Sequence, residues 1–504
     1  MIEWGAARIA AAAGASLVHE GRQTPGAAEA QGPRRVRIDS RGVQAGDLFV
    51  GLRGERVDGG SHAEQALAAG AWGVLVGSEH AARLTELDEG GTGTAPAGVV
   101  LEHRDPLVAL QALARAWRLA LGAKVVAITG STGKTSTKDI LAALLERELR
   151  TAASPENLNT EIGLPLAVLA APAGTEALVL EMAMRGPGQI AELVAIAEPD
   201  VGVIVNIGPV HLELLGSLEA IAAAKAELIA GLAPAATIVV PAGEPLLSSH
   251  LRADLRTVTF GDGGDVELLC GPAEDQREED VGGLLAAAGV EEHDLPDLAS
   301  GEIAIIDHAS GGATGRPIVM KPSFSQSHNL RNLLAAVAAA RALGVTPSGE
   351  LNVSFSALRG ERVALADGIV LINDCYNANP MSMRAALDEL AATAPARRVA
   401  VLGDMLELGS EQGPGLHREV AAYASARGVE LLLAVGPLAA EMGETFSGEL
   451  HEAPDAAAAA ALLPGLLRTQ DTVLVKGSRG VGLEVIAETL ADADASAESP
   501  ESAR

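Results

Sequence analysis

The segment 128–135, Ile-Thr-Gly-Ser-Thr-Gly-Lys-Thr, has the composition of a loop that binds phosphate. It follows the apolar run 125–128 and precedes a segment with helical spacing that begins near Ser136. Glycines let backbone N–H groups converge on phosphate oxygens, and a helix N-terminus adds partial positive charge. Position 128 is Ile where the full Walker spacing has glycine, so the loop is a shortened Gly-x-x-Gly-Lys-Thr. The flanking strand and helix disfavour the alternative, an ordinary turn with an exposed lysine.

The side chains of this loop suit a nucleotide that carries a magnesium ion. Lys134 can reach the β- and γ-phosphates, and the hydroxyl of Thr135 can hold Mg²⁺. The sequence therefore predicts an ATP site with Mg²⁺ as its ion. The loop residues predicted to bind ATP are Gly130, Ser131, Thr132, Gly133, Lys134, Thr135 and Ser136.

Two candidate metal ligands follow apolar runs that we predict to be strands. Glu181 follows the run 177–180, and His211 follows the run 201–207 after a Gly-Pro-Val segment. Ligands of parallel sheets bind at the carboxyl ends of strands, where both residues would then lie. A carboxylate there can hold the Mg²⁺ of a nucleotide, and an imidazole can be a second metal ligand. Taken alone, each has an ordinary alternative, a solvated glutamate or a hydrogen-bonded loop histidine.

Lys225 lies in an alanine-rich segment, 218–232, that is predicted to be helical. Considered by itself, this lysine is expected to be a solvated cation on a helix surface, because lysine is rarely fully buried. A role in chemistry is indicated only when it is considered together with the other segments.

Short apolar runs alternate with helical stretches along most of the chain, which predicts α/β domains with parallel sheets covered by helices. Residues 262–316 are acidic and glycine-rich, and they predict a partly mobile elaboration of the central domain. We predict an N-terminal domain over 1–103, a central domain over 104–345, a C-terminal domain over 346–490 and a disordered tail over 491–504.

The overall composition disfavours several classes of function. A chain of 504 residues, 48% hydrophobic and 20% charged, is too long for one core and predicts a globular protein of several domains. A net charge of −29 argues against nucleic-acid binding, which needs a cationic surface. The chain has two cysteines, no basic and apolar leader at its N-terminus, and no long apolar run. We therefore expect a cytoplasmic protein without signal peptide or membrane span.

Together these segments resemble the Mur ligase family. The Gly-x-x-Gly-Lys-Thr turn of the family matches 130–135, its strand-end glutamate matches Glu181, and its Asn-x-Gly-x-x-His-Leu-Glu segment matches 206–213. The lysine of the following helix matches Lys225, and the segment near the nucleotide base matches 328–332. The resemblance implies that Lys225 is carbamylated by CO₂, which converts a cation into a metal-binding carboxylate.

The resemblance implies three domains: a small N-terminal α/β domain that binds UDP, a central parallel-sheet P-loop ATPase domain and a C-terminal Rossmann-like α/β domain. It also implies a monomeric, ADP-forming ligase of peptidoglycan synthesis that makes an amide through an acyl phosphate. Segment 39–41 resembles the uridine-nucleotide-binding domain, and 157–163 resembles the substrate-facing loop. Segments 376–383 and 402–409 resemble members that join D-alanyl-D-alanine to UDP-N-acetylmuramoyl-tripeptide, the two partners implied for this chain.

The resemblance also assigns roles to single residues. The implied catalytic residues are Lys134, His211 and Lys225, and the implied metal ligands are Thr135, Glu181, His211 and Lys225. The implied ATP-binding residues outside the phosphate loop are Asn332, Arg359 and Asp374. The implied substrate-binding residues are Ser40, Arg41, Asn157, Asn159, Thr160, Tyr376, Asn377 and Asn379. Three positions depart from the family pattern without removing a residue that the chemistry needs: Ala183, Ser327 and Asn373.

Other functions share part of this pattern. The nearest alternative is the ligase of the same family that adds the third residue of the peptide, whose Asp-Asn-Pro-Arg motif does not occur here. Segment 39–41 disfavours a ligase of the folyl-polyglutamate type, and a cyanophycin-type ligase is a further distant alternative. A catalytically silent nucleotide-binding scaffold is disfavoured because all the candidate catalytic residues are present. The sequence leaves open whether the tripeptide carries lysine or diaminopimelate.

Overall fold

Three β-sheets with helices packed against them organise the protein. The computed structural model describes residues 4–21, 32–54, 56–89, 98–155, 157–270, 297, 300–308 and 317–497. Helices and strands are numbered below in chain order. Within these residues, no helix combines the length and the apolar character needed to cross a membrane.

The first sheet contains five strands in the order β1-β5-β4-β3-β2. The strands are β1 (Ser16–Glu20), β2 (Val36–Arg37), β3 (Leu48–Val50), β4 (Gly73–Val76) and β5 (Val99–Glu102). The helices of this part are α1 (Ala6–Ala13), α2 (Ala63–Ala68) and α3 (Ser78–Glu89). β1 runs antiparallel to β5, and the other pairs are parallel. β3 and β4 are buried along their whole length, as is usual for parallel strands covered on both faces.

The second sheet contains ten strands in the order β15-β14-β13-β12-β11-β10-β9-β6-β8-β7. Its strands are β6 (Lys124–Thr129), β7 (Thr151–Ala153), β8 (Ala177–Glu181), β9 (Val201–Ile204), β10 (Thr237–Pro241), β11 (Arg256–Phe260), β12 (Val266–Cys270), β13 (Ile303–Asp307), β14 (Ile318–Pro322) and β15 (Gly349–Leu351). Its helices are α4 (Pro106–Leu121), α5 (Lys134–Leu145), α6 (Gly163–Ala170), α7 (Gln189–Ala197), α8 (Leu212–Leu215), α9 (Leu218–Gly231), α10 (Pro245–Ser248) and α11 (Ser327–Ala342).

The third sheet contains six strands in the order β16-β17-β21-β18-β19-β20. Its strands are β16 (Glu361–Ala364), β17 (Val370–Asn373), β18 (Arg398–Gly403), β19 (Leu431–Val435), β20 (Glu449–Ala453) and β21 (Thr472–Lys476). Its helices are α12 (Pro380–Thr393), α13 (Gly413–Ala426), α14 (Ala456–Leu462) and α15 (Glu484–Ala497). Only β16, at one edge, runs antiparallel to its neighbour.

Strand order in the second sheet brings the predicted phosphate loop and metal ligands to one place. β6 lies between β8 and β9, and all three strands are parallel. Ile128 pairs with Glu181 and Thr129 pairs with Ile204, so the three strands end at the same level. The loop after β6, the last residue of β8 and the segment after β9 therefore share one edge of the sheet.

Two expectations from the sequence need correction, and a third stays a prediction. The second sheet is mixed, because β13 runs antiparallel to both β12 and β14. The segment 262–316, predicted to be a partly mobile elaboration, includes β12 and β13; its residues 271–296, 298–299 and 309–316 are outside the described residues, and its mobility stays a prediction. The predicted disordered tail begins too early, because α15 continues to Ala497; residues 498–504 are likewise outside the described residues. The turn-forming and charged residues of a segment do not show that its strands will pair with strands from distant parts of the chain.

Helix α4 connects the first sheet to the second. Asp105 caps its first turn through the backbone N–H of Leu107, and Gly122 ends it with a φ of 63°. Trp117 packs edge-on against Trp4 with ring centroids 5.3 Å apart, and its indole N–H donates to the carbonyl of Ala171 at 3.1 Å. The same helix face therefore packs against both the N-terminal helix and the central domain.

We predict that Leu113→Ala lowers the free energy of unfolding by about 2–5 kcal/mol, because Leu113 is fully buried on this face of α4. The matched control is Leu119→Ala on the same helix, where the side chain is 45% exposed, and we expect a change within about 0.5 kcal/mol. Denaturant unfolding of both variants measures the difference. Equal effects at the two positions would contradict the assignment of this helix face to the core.

Candidate active site

The phosphate loop is held in shape by the segment that follows β9. The hydroxyl of Ser131 accepts from the backbone N–H of Gly208 at 2.9 Å and donates to its carbonyl at 3.0 Å. The side chain of Asn206 accepts from the N–H of Thr132 at 2.9 Å and donates to its hydroxyl at 2.9 Å. These bonds fix the backbone of the loop before any phosphate is bound.

Gly133 makes the turn from this loop into α5 possible. Its φ is 75°, a left-handed conformation that glycine adopts without penalty. A Cβ at this position would also lie 2.5 Å from the side-chain oxygen of Asn332 on α11. The helix begins at Lys134, two residues earlier than the sequence indicates, so the lysine belongs to its first turn.

Lys134 is half-buried and directs its charge into a confined space. Its ammonium donates to the carbonyl of Gly130 at 2.9 Å. Burial lowers the pKa of Lys134, the carboxylate of Glu181 opposes that shift, and the guanidinium of Arg359 adds to it. An incoming anion would compensate this charge, which is the behaviour expected of a phosphate-binding lysine.

Glu181 presents carboxylate oxygens at the base of the site. The side chain is buried, and it accepts from the hydroxyl of Thr135 and from the side-chain amide of Asn159, both at 2.8 Å. A hydroxyl beside a carboxylate is a set of hard oxygen donors, which fits Mg²⁺. No three His, Cys, Asp or Glu side chains of the described residues cluster as a metal site. This set therefore suits an ion that arrives with phosphate oxygens as further ligands.

His211 lies at the start of α8 with its ring against the carboxylate of Glu407 from the third domain. Burial lowers the pKa of His211, the contact with Glu407 opposes the shift, and the charges of Lys134 and Lys225 lower the pKa further. The imidazole is therefore held in its neutral form, in which one ring nitrogen is free to accept a proton or bind a metal.

Lys225 lies inside the protein, which excludes the surface position that its sequence context alone predicts. Only 3% of the residue is exposed, and no described residue forms a hydrogen bond or ion pair with its amine. Burial and the charge of Lys134 together lower the pKa of Lys225 well below its usual value. A lowered pKa favours the neutral amine, which is the form that reacts as a nucleophile, so this lysine is suited to covalent modification.

The third domain contributes a second group of polar residues. The ammonium of Lys476 donates to the carboxylate of Asp374 at 2.7 Å and to the carbonyl of Asn377 at 3.0 Å. The guanidinium of Arg359 stacks over the ring of Tyr376 at 4.2 Å from its centroid. These contacts fix the segment between β17 and α12, which Asn379 joins to the helix by a capping box with Ser382.

One cavity of about 1280 Å³ lies between the central and C-terminal domains. Most of the predicted site residues line it: Ser131, Thr132, Gly133, Lys134, Thr135, Ser136, Asn157, Asn159, Thr160, Glu181, His211, Asn332, Arg359, Asp374, Tyr376, Asn377 and Asn379. Gly130 and Lys225 do not line it, although the charge of Lys225 acts on His211.

Ser40 and Arg41 lie in the N-terminal domain and do not line this cavity. They form a short 3₁₀ turn that is capped by Asp39, whose carboxylate accepts from the backbone N–H of Arg41 at 3.0 Å. The guanidinium of Arg41 pairs with the same carboxylate and is exposed, and this contact lowers the pKa of Asp39 to about 2. The turn is thus fixed locally, at a distance from the phosphate loop.

The cavity residues that were not singled out as site residues from the sequence include Asn206, His328 and Lys476. Lys476 is the last residue of β21, so the strand-end rule that identifies Glu181 would have identified it too. Glu407 also escaped notice as a single residue. Its contact with His211 joins positions 196 residues apart, which no local pattern reveals.

Models of three protein domains match this chain. The Mur ligase middle domain matches residues 128–340, the Mur ligase glutamate ligase domain matches 358–479, and the Mur ligase family catalytic domain matches 34–118. Most of the chain, including most of the residues that line the cavity described above, is therefore covered.

Curated relatives extend over nearly the whole chain. The UDP-N-acetylmuramoyl-tripeptide–D-alanyl-D-alanine ligase of Synechocystis sp. is 36% identical over 465 residues, which cover 90% of this chain and 91% of that protein. The ligase of the same name from Bacillus subtilis is 34% identical over 468 residues, or 90% and 92% of the two chains.

Solved structures have the same fold. A crystal structure of MurF from Acinetobacter baumannii superimposes with a TM-score of 0.77 at 26% identity, covering 97% of this chain and 99% of the other. MurF ligase from Thermotoga maritima in complex with ADP gives a TM-score of 0.72 at 28% identity, covering 91% and 97%. With matching domains along most of its length and relatives above 30% identity, the chain belongs to the Mur ligase family.

Proposed function

We propose that this protein joins D-alanyl-D-alanine to UDP-N-acetylmuramoyl-tripeptide at the expense of ATP, releasing ADP and phosphate. The observation that carries the proposal is a single cavity in which the phosphate loop of the central domain faces Tyr376, Asn377 and Asn379 of the third domain. The names of the relatives and the ADP complex of a structural neighbour support it.

The reaction explains why the site concentrates positive charge. A carboxylate does not react with an amine in water until its oxygen is activated. Attack of the tripeptide carboxylate on the γ-phosphate gives an acyl phosphate and ADP. The amine of D-alanyl-D-alanine then adds to the acyl carbon, and the tetrahedral intermediate collapses with loss of phosphate. The first step brings two anions together, so fixed cations stabilise its transition state.

Within this proposal the phosphate loop binds ATP and Lys134 contacts the γ-phosphate. Thr135 and Glu181 would hold Mg²⁺, which supplies further positive charge to the phosphate oxygens when it is bound. Asn159 orients the carboxylate of Glu181 through their 2.8 Å hydrogen bond. His211 and a carbamate on Lys225 would hold a second ion beside the acyl oxygen. The burial of the Lys225 amine, the absence of a partner for it among the described residues and its lowered pKa support that modification.

The remaining residues bind the ends of the substrates. Asn332, Arg359 and Asp374 bind the nucleotide, and the contact of Asp374 with Lys476 fixes its carboxylate. Tyr376, Asn377 and Asn379 of the third domain bind the dipeptide, together with the loop that carries Asn157 and Thr160. Ser40 and Arg41 bind the uridine diphosphate part of a long substrate that extends from the N-terminal domain to the cavity. The enzyme acts as a monomer in the cytoplasm, with domains over 1–103, 104–345 and 346–490.

We expect product with D-alanyl-D-alanine and none with free lysine or diaminopimelate as the acceptor. The experiment incubates the protein with ATP, Mg²⁺ and UDP-N-acetylmuramoyl-tripeptide carrying either lysine or diaminopimelate, and it measures product mass and phosphate release. Omission of the dipeptide is the control. A product formed from UDP-muramoyl-dipeptide by addition of one amino acid would overturn the proposal and favour the ligase that adds the third residue.

We expect Lys134→Ala to lower turnover by about 10²-fold or more, because it removes a charge that is placed to stabilise the transferred phosphoryl group. The matched control is Lys124→Ala, which removes a lysine from the other end of β6. That side chain is 64% exposed and pairs with Asp200 at 2.8 Å, and such surface pairs contribute little. Near-normal turnover of folded Lys134→Ala would disprove the assigned role.

We expect Lys225→Ala to be nearly inactive and to regain turnover when short-chain carboxylic acids are added, because a free carboxylate can occupy the place of the carbamate. Lys134→Ala serves as the control for rescue, since its site needs positive charge and a carboxylate would not restore it. The measurement is the rate of ADP release against acid concentration. Full activity of Lys225→Ala without acid would rule out the carbamate.

A further inference from the structure

Two strained residues from different domains meet at one point beside the cavity. His211 has a φ of 54° and Glu407 a φ of 63°, and they are two of the seven non-glycine residues with positive φ in the described chain. Such conformations are sparsely populated by residues with a side chain and persist where surrounding contacts impose them. The ring nitrogen Nδ1 of His211 lies in contact with the carboxylate of Glu407.

The contact between the two domains has more than one bond. The backbone N–H of Glu213 donates to the carbonyl of Glu407 at 3.1 Å, and Nε of Arg185 lies 3.7 Å from the other carboxylate oxygen of Glu407. A Cβ on Gly409 would lie in ordinary van der Waals contact with Glu213, 3.6 Å from its Cα. The loop that carries Glu407 is therefore seated on the segment that carries His211.

The third domain holds this loop rigidly from its own side. The carboxylate of Asp404 accepts from the backbone N–H groups of Leu438 and Ala439 at 3.0 and 2.7 Å. The fully buried ring of His417 accepts from the backbone N–H of Met405 at 2.9 Å. The hydroxyl of Ser478 accepts from the backbone N–H of Leu406, also at 2.9 Å. The carboxylate of Glu407 is thus presented by a fixed loop.

We propose that Glu407 is a positioning residue that sets His211 for catalysis only when the third domain is docked on the central domain. By accepting the Nδ1–H, its carboxylate selects the tautomer in which Nε2 carries no proton and can act as a ligand or acceptor. Because His211 and Glu407 belong to different domains, an undocked third domain leaves the imidazole without this partner. The proposal rests on the proposed function. It adds that docking of the third domain sets the tautomer of His211 that the reaction needs.

The alternative is an ordinary surface ion pair. Glu407 and His211 are 36% and 25% exposed, and exposed pairs contribute little to stability. That alternative does not explain why two residues with positive φ face each other. It also does not explain the backbone hydrogen bond that joins the same two domains. It also predicts that neutralising Glu407 has no more effect than neutralising any nearby glutamate.

The test compares Glu407→Gln with Glu411→Gln, which removes the same charge from an exposed residue of the same loop region. The first readout is the tautomer of His211 in the full chain with ADP and without added Mg²⁺, because a metal ion on Nε2 would itself fix the tautomer. It is measured from the ¹⁵N shifts of the ring nitrogens in protein labelled at histidine, with His211→Gln used to assign the signals. We expect Nδ1-protonated imidazole in the unchanged protein and in Glu411→Gln, and a mixture of tautomers in Glu407→Gln.

The second readout is steady-state turnover. We expect kcat of Glu407→Gln to fall by about 10-fold or more with the KM for ATP unchanged, as for loss of a carboxylate that orients a catalytic histidine. Glu407→Asp, which keeps the charge and tolerates positive φ, should recover part of the loss. An unchanged His211 tautomer, or equal kcat values for Glu407→Gln and Glu411→Gln, would overturn the proposal. If the unchanged protein forms no product with the dipeptide, the proposed function fails, and the tautomer measurement still decides the role of Glu407.

Discussion

Positive charge held in a poorly solvated position beside one cavity is the constraint on which the rest of the site depends. Burial lowers the pKa of both Lys134 and Lys225, and the charge of Lys134 lowers that of Lys225 further. Like charges in a poorly solvated site repel, so this arrangement stays costly until an anion enters or a lysine loses its proton. Glu181 is the carboxylate that opposes the shift at Lys134. The surrounding protein, whose net charge is −29, thus encloses a local site for anions.

The ends of parallel strands and the close contact between two domains determine where these charged groups lie. The adjacent strands β9, β6 and β8 end at one level, which places the phosphate loop between the segment of His211 and Glu181. The third domain then approaches so closely that a Cβ on Gly208 would lie 1.9 Å from the sulfur of Met381. A Cβ at this position would force the flexible side chain of Met381 to shift. The glycine that contacts Ser131 of the phosphate loop also borders the third domain, so the state of the loop and the docking of the domain are physically connected.

Lys225 is expected to destabilise the fold, and its proposed role in the reaction explains why a lysine occupies this position. A buried amine without a partner destabilises the fold relative to an apolar residue of similar size, because its desolvation is not repaid by a hydrogen bond. Retention of an amine there is understandable if the proposed carbamate supplies negative charge to the cation-rich site. Residues that break the rules of core packing are expected at functional sites for this reason.

The sequence alone was sufficient for the elements whose signals are local. The aspartate cap and the terminal glycine that mark the two ends of helix α4, Pro106–Leu121, are both readable from the sequence. The phosphate loop and the strand end at Glu181 were likewise readable, since strand, glycine turn and helix lie within a few residues. Tertiary structure alone decided that Lys225 is buried, that β12 and β13 complete a mixed sheet, and that Glu407 contacts His211. Each of these depends on partners far away in the chain, and neither periodicity nor propensity carries information about which distant surface will cover a residue.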